Sequence, residues 1–311
     1  MIIKAPIDLE LTQNSGQTSQ PPWKLDNNIY SDVVVADNKA VLFQVKQKEN
    51  NLDFNFIGDI SNKEATNKIK TIFDLDFNLN KFYKYLNNQP ELADMTNFCR
   101  DLRLFLAKDK FECVISSVCS ANNSIVRWTK SIDDIKKSWG NKYTYSEKDY
   151  FTFPDVSDFK NIYCDDVEEF ECCSNLNNPG ECINNLKSCG VGYRAPYMKK
   201  ASEIFTLEMD LDDISKMSYD EAFDTMLKVP GVGPKVADCI LLYGFNFRQA
   251  FPTDVWIKRI VSYLYFDGKD INVSKIREFG MEEFGDYAGY VQLYLFHYAR
   301  MSGLMKKLKG M

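Results

Sequence analysis

The stretch Leu227 to Cys239, LKVPGVGPKVADC, constrains this chain more than any other, because it fixes two helices and the turn between them. Asp220 to Val229 reads as the first helix, stopped by Pro230 and Gly231. Gly231 and Gly233 permit a tight turn with φ > 0, and Pro234 stands where a helix accepts proline, at its first position. The second helix is predicted from about Lys235, with Val236, Ala237, Ile240 and Leu241 on its buried side. A glycine turn that opens onto a helix N-terminus leaves backbone N–H groups unpartnered, which makes a ready phosphate site.

Lys235 is out of place for stability. An ammonium in the first helical turn faces the positive end of the macrodipole, which disfavours the charged form. That suits a nucleophile, since only the neutral amine attacks carbon. Cys239 is four residues on and shares its helix face. A surface lysine beside an ordinary helical hairpin has the same spacing, so the residues alone leave both readings open.

Composition narrows the classes. The 311 residues allow two domains or one large one. No apolar run approaches a membrane span and the N-terminus lacks a signal-peptide pattern, so no membrane partner and a cytoplasmic setting are expected, with association to a nucleoid or a nuclear site depending on the source. Nine cysteines without framework spacing favour a reducing compartment. His297 is the sole histidine, which removes Ser-His-Asp hydrolases and multi-histidine zinc enzymes. The net charge of −6 speaks at face value against a nucleic-acid binder. Yet Asp149 to Cys182 holds nine carboxylates and one lysine, so the rest of the chain carries +2.

The fold class expected is α+β: an antiparallel sheet domain with helices over residues 1–98, then a mainly helical region over 99–311. IDLEL, IYSDVVVA, AVLFQVKQ and LDFNFIG read as strands, with turns at Asp37-Asn38 and Asn50-Asn51. SGQTSQPPW, from Ser15 to Trp23, reads as a loop. CRDLRLFLAKD and KFECVISSVCSA read as packed helices, the second ending in the turn Asn122-Asn123-Ser124. Residues 142–189 contain an acidic, cysteine-rich insertion. Cys164, Cys172, Cys173, Cys182 and Cys189 lack the paired C-x₂-C spacing of zinc or iron–sulfur ligation, so no metal is expected. FGDYAGYVQLYLFHYARM reads as a helix capped by Asp286, with Gln292 and Phe296 on one face.

PGVGPKVADC followed by PTDVW resembles the signature of the helix–hairpin–helix DNA glycosylases, and KVADC resembles the 8-oxoguanine DNA glycosylase/lyases within them. The resemblance extends from Gly16 to Phe296 in five segments. It implies that Lys235 is the nucleophile and that Asp254, fifteen residues after Cys239, stabilises positive charge at the anomeric carbon. It implies phosphate contacts at Gly231, Gly233 and Val236. Trp256 stands where such enzymes often place a phosphate-binding histidine, so that contact is either an indole N–H or missing. The damaged base is expected between Cys239 and Phe296, read by Gln292 and by the carbonyl of Gly16. The SGQ loop here is two residues longer than the family's and contains Pro21-Pro22.

ANNSIVRW resembles the turn that fills the gap left by the extruded base, with Asn122 as filler and Arg127 as reader of the orphaned cytosine. GVGYRAPY resembles the segment in which Tyr193 wedges into the duplex and Arg194, with Arg127 on the other side of the gap, donates to the orphaned cytosine. The implied activity is excision of 8-oxoguanine, preferably opposite cytosine, by base flipping, followed by a Schiff base and β-elimination. The implied partner is duplex DNA bound by a monomer. No cofactor is implied, although a monovalent or divalent cation at the hairpin carbonyls is compatible with the pattern. A related glycosylase for another lesion, or a non-catalytic helix–hairpin–helix DNA-binding module, are the alternatives.

Overall fold

The computed structural model describes residues 1–36, 39–164 and 184–304. The expected turn at Asp37-Asn38 and most of the acidic insertion, including Cys172, Cys173 and Cys182, lie outside them. The chain begins with strand β1 (Ile2–Ile3) and helix α1 (Leu9–Asn14), then β2 (Lys24–Asp26), β3 (Ile29–Ala36), β4 (Lys39–Lys48) and β5 (Asn51–Ile57). These strands form one antiparallel sheet in the order β1-β5-β4-β3-β2. Helix α2 (Asn62–Ile72), started by a Ser61/Glu64 capping box, lays Ala65, Ile69 and Ile72 on it. Tyr30, Val34, Val41, Phe43, Val45 and Phe54 supply the sheet side of that core, as period-2 alternation requires.

IDLEL is not a strand. Asp8 adopts an extended conformation and its carboxylate accepts from Leu11 N at 2.8 Å, so the segment enters α1. Five residues of alternation were outweighed by an N-cap, and Leu9, Thr12 and Gln13 bury at helical spacing instead.

The remainder is helical: α3 (Leu79–Asn87), α4 (Met95–Phe98), α5 (Lys110–Ser120) and α6 (Ile125–Trp139), then a hairpin of β6 (Lys142–Tyr145) and β7 (Lys148–Phe151). After α7 (Val156–Phe159) come α8 (Ala195–Leu207), α9 (Leu211–Ile214), α10 (Tyr219–Leu227), α11 (Pro234–Phe245), α12 (Val255–Tyr265), α13 (Val273–Phe284) and α14 (Ala288–Met301). One continuous core runs through these helices from Phe77 to Ala299. The β6–β7 hairpin covers the outer face of the sheet, where Tyr150 meets Val33 and Leu42. Asp286 does not cap α14: it lies in a 3-10 turn ahead of the helix, with no side-chain cap.

The segment 102–107, expected to be helical, forms no regular element, and 102–106 are buried. Its backbone finds partners far away in sequence, which periodicity cannot show. Gln17 donates to Arg103 O at 3.0 Å and accepts from Phe105 N at 2.8 Å, while Gln20 donates to Leu106 O at 2.8 Å. The SGQTSQPPW loop is therefore no surface connection. Ser15, Ser19, Gln20 and Trp23 are at most 2% exposed, and the loop is wedged between sheet and helices.

A buried charge cluster ties the two cores together. Asp32 of β3 pairs with Lys108 and, at 3.2 Å, with Lys136 of α6, and both lysines lie 3.8 Å from Glu112 of α5. Burial pushes the Asp32 carboxyl up, but the two ammonium groups outweigh it and hold it below its usual range. Among the described residues no helix is long and apolar enough to cross a membrane.

Candidate active site

The hairpin is built as its sequence predicts, with one difference. Ser218 and Glu221 form a capping box at the start of α10, and Val229 and Val232 plug the turn into the core. Gly231 has φ +81°, and a Cβ there would lie 2.6 Å from the Tyr197 ring, so glycine is required twice over. Gly233 does not have positive φ. It is the extended N-cap of α11 (φ −90°, ψ 178°), and nothing lies within 4 Å of the place a Cβ would take. Its value is open space above the start of α11, where Pro234 sits at the first turn and no side chain caps the helix. The N–H groups of the first turn, Val236 among them, can therefore meet a phosphate oxygen.

The hairpin is locked from behind. Asp238 is fully buried and accepts from Arg277 of α13 at 2.6 and 3.1 Å and from the Tyr219 hydroxyl of α10. Arg277 also lies 4.0 Å from the Phe223 ring. Three hydrogen bonds on one carboxylate fix the relative placement of α10, α11 and α13.

Lys235 lies one turn before Cys239, which is 3% exposed. The expected depression of its pKa is not found. Burial favours the neutral amine, but Cys239 and Asp254 favour the ammonium, and the net direction is upward. The Cys239 thiol is itself raised by burial, although Lys235 and a hydrogen bond with Thr18 pull the other way.

Asp254 is the N-cap of α12. Its Oδ1 accepts from Trp256 N at 2.9 Å and Ile257 N at 2.8 Å, leaving Oδ2 for a substrate. The Trp256 side chain packs against the helical core.

Two residues before Asp254, the carbonyl of Pro252 accepts from Gln292 Nε2 at 3.0 Å. That bond fixes the amide and leaves Gln292 Oε1 buried with no partner among the described residues. An orphaned buried acceptor costs about 1–3 kcal/mol, so it marks a place where a donor is meant to arrive. Phe296 lies one turn further along α14, partly exposed. The Arg300 guanidinium lies 5.1 Å from the Phe296 ring centroid and donates to Ser15 O at 3.1 Å. Gly16, with φ +86°, closes the circle. A Cβ there would meet Ile125 Cδ1 at 2.4 Å and Arg300 Nη1 at 3.1 Å. Arg300 thus joins the Gly16 loop to Phe296, with Gln292 one turn earlier on α14, and Asp254 acts electrostatically on both Arg300 and Lys235, which is in turn linked to Cys239.

A second group lines the adjoining surface. Asn122 is exposed at φ +50° at the tip between α5 and α6, and Arg127 is exposed in the first turn of α6. Tyr193 is 59% exposed ahead of α8. Arg194, expected to face a partner strand, is turned inward. It is 8% exposed and donates to Ala121 O at 2.8 and 2.5 Å, to Asn122 O at 3.0 Å and to Val191 O at 3.2 Å. These bonds brace the strained Asn122 turn, a role that motif spacing does not reveal.

Sequence reasoning also passed over Arg300 and the Tyr219–Asp238–Arg277 lock. Arg300 was discoverable, since it falls at the eighth residue after Gln292 on the stripe already bearing Phe296. The lock joins three segments and has no local signal. A cleft of about 710 Å³ between the outer face of the sheet and the β6–β7 hairpin is lined by Lys24, Ile57, Tyr145 and Tyr150, and by none of the residues above.

The arrangement has counterparts. Residues 1–114 match the family model for the 8-oxoguanine DNA glycosylase N-terminal domain, and residues 115–285 match that for the HhH-GPD superfamily base excision DNA repair protein. A probable N-glycosylase/DNA lyase of Methanothermobacter thermautotrophicus is 44% identical over 97% of this chain and 96% of its own. The solved structure of MBOgg1 with a low-affinity DNA ligand superposes with a TM-score of 0.80 at 30% identity, covering 97% of this chain and 96% of the other. The Clostridium acetobutylicum 8-oxoguanine glycosylase/lyase, solved with duplex DNA containing cytosine opposite 8-oxoguanine, gives 0.78 at 28% identity, covering 97% and 98%. With both family models spanning most of its length and a full-length relative at that identity, this chain belongs to the HhH-GPD superfamily of base excision DNA repair proteins, in the branch that carries the 8-oxoguanine glycosylase N-terminal domain.

Proposed function

We propose that this chain excises 8-oxoguanine from duplex DNA and then cleaves the strand at the abasic site, with Lys235 as nucleophile. The observation that carries the reading is the electrostatic conjunction of Lys235, Cys239 and Asp254, with an unpartnered Gln292 Oε1 held by its amide against Pro252, two residues before Asp254. A DNA-binding module without chemistry needs neither a buried amine beside a carboxylate nor an orphaned acceptor. The names of the relatives, N-glycosylase/DNA lyase and 8-oxoguanine glycosylase/lyase, point the same way.

The duplex is held by hairpin amides at Gly231, Gly233 and Val236, and Tyr193 and Asn122 occupy the space the lesion vacates. The extruded base slides between Cys239 and Phe296. Its N1–H and amino group meet Gln292 Oε1, and its N7–H meets the Gly16 carbonyl. Guanine has a bare N7 acceptor there, so two acceptors face each other and about 1–3 kcal/mol of discrimination results.

Lys235 rests as the ammonium and must lose its proton before it attacks C1′. The departing purine needs a proton, so the two requirements offset. As the N-glycosidic bond breaks, its electron pair leaves with the base, and Asp254 Oδ2 faces the positive charge at C1′. The amine forms the C1′–N bond, the sugar ring opens to the protonated imine, and loss of a C2′ proton expels the 3′-phosphate. Hydrolysis of the imine returns Lys235.

The test incubates the protein with duplexes carrying single lesions and adds borohydride, which reduces the imine to a stable covalent link. A link with 8-oxoguanine duplex and none with undamaged or alkylated-purine duplex is expected. Release of alkylated purines without covalent capture would instead place the chain with the monofunctional glycosylases.

A further inference from the structure

Gln292 Oε1 and the Gly16 carbonyl are both acceptors, and a cavity built only of acceptors reads only the donor edges of its base. Arg300 supplies the missing polarity. Its guanidinium has five N–H donors. One is committed to Ser15 O at 3.1 Å, the residue immediately before Gly16. The same Nη1 lies 3.1 Å from the point where a Gly16 Cβ would stand. The plane is held against the Phe296 ring, 5.1 Å from its centroid, by the one-turn spacing on α14. Among the described residues no other hydrogen bond or ion pair engages the group, although it is half-buried, and burial is the first cause lowering its pKa. A half-buried cation with four donors unused among the described residues, anchored beside Gly16 and the stacking ring, is arranged for an acceptor brought in from outside.

On the purine that acceptor is next to the Gly16 site. N7–H and the C8 carbonyl oxygen are adjacent on the five-membered ring, so a base whose N7–H reaches the Gly16 carbonyl presents O8 to whatever flanks it. We infer that Arg300 donates to the C8 carbonyl oxygen of the flipped base, making it a specificity residue that reads the oxidation itself. Gly16 reads the proton that oxidation adds, and Arg300 reads the oxygen. This rests on the function proposed above.

The chemistry can be tested by changing one atom of the substrate. 8-Thioguanine keeps N7–H and replaces O8 by sulfur, a weak acceptor. Single-turnover excision is measured for 8-oxoguanine and 8-thioguanine duplexes with the parent protein, with Arg300→Ala and with Arg300→Lys. A bidentate or charge-assisted bond to oxygen predicts an oxygen-to-sulfur factor in the parent about 10- to 100-fold larger than in Arg300→Ala. The larger size of sulfur affects all three proteins and cancels in the comparison. Arg300→Lys should recover part of the factor, because a charged donor remains.

Binding to a duplex with a tetrahydrofuran abasic analogue is measured alongside, and should be unchanged in both variants. An equal oxygen-to-sulfur factor in parent and Arg300→Ala overturns the inference, since Arg300 then only holds the Ser15–Gly16 loop. Loss of tetrahydrofuran-duplex affinity in step with excision also overturns it, because Arg300 is then a backbone contact. A parent that excises neither base overturns the proposed function, and the inference with it, whereas a parent active on 8-oxoguanine isolates the question to Arg300.

Discussion

Gly16→Ala separates the reading of the base from the chemistry at the sugar. At φ +86° an L-residue is strained by about 1–2 kcal/mol. The new methyl would stand 2.4 Å from Ile125 Cδ1 and 3.1 Å from Arg300 Nη1. The isoleucine tip can rotate away, so the clash itself adds little, but both neighbours must give ground and the Gly16 carbonyl moves with them. For a chain of this size about 2 °C of melting temperature accompanies each kcal/mol, so a loss of about 2–4 °C is expected. The functional loss is larger. Misplacing an acceptor by a few tenths of an ångström forfeits most of a hydrogen bond and leaves a buried N7–H poorly paired, which slows 8-oxoguanine excision by about tenfold or more. Cleavage at a preformed abasic site requires no base in the cavity, so it should proceed within about twofold of the parent. The assay is single-turnover cleavage of matched 8-oxoguanine and abasic duplexes. Equal losses on both would show that Gly16 supports the fold rather than the base, and an unchanged 8-oxoguanine rate would remove its carbonyl from recognition.

Phe296→Ala should cut 8-oxoguanine excision in line with the roughly 1–3 kcal/mol of a base–aromatic stack and also loosen Arg300; a parent-like rate would place the base elsewhere. Arg127→Ala should erase a preference for cytosine as the partner base. Arg194→Ala should slow excision opposite all four bases and lower the melting temperature, because three carbonyls of the Asn122 turn and its surroundings lose their donor; a selective loss opposite cytosine would return Arg194 to the strand. Asp109 caps α5 and its carboxyl is pushed up to about 6, first by burial and then by Glu112. The folded state holds that proton more tightly than the unfolded chain, so this group lowers stability as pH rises from about 4 to about 6. Asp109→Asn keeps a capping oxygen and should melt higher than the parent above pH 6, by about 1 kcal/mol after solvent screening, with the difference gone near pH 4. A pH-independent difference would contradict that account.

Much of this was legible in the sequence because the signals were local. Hydrophobic alternation gave β3, β4 and β5; Pro230, Gly231 and Pro234 punctuated the hairpin; and Gln292 and Phe296 shared a face by spacing alone. Local signals also misled. Leu102 to Ala107 has apolar content that reads as helix, but Gln17 and Gln20 satisfy its backbone across more than 80 residues of sequence, and no helix forms. Arg194 follows the pattern of a DNA-facing arginine, yet its donors are used on the chain's own carbonyls. The rise in the Lys235 pKa comes first from Cys239, one turn on, and then from Asp254 at the start of α12, whose approach joins two separate segments. Nothing within either segment encodes it.

The central claim is that one amine, Lys235, bonds to the sugar. The direct measurement is borohydride capture on a duplex with 8-oxoguanine opposite cytosine, followed by proteolysis and mass spectrometry of the cross-linked peptide, with Lys235→Gln in parallel. The account predicts a single modified peptide bearing Lys235 and no capture by the variant, which should still bind the lesion duplex. A cross-link at another amine, or capture undiminished in Lys235→Gln, would contradict it.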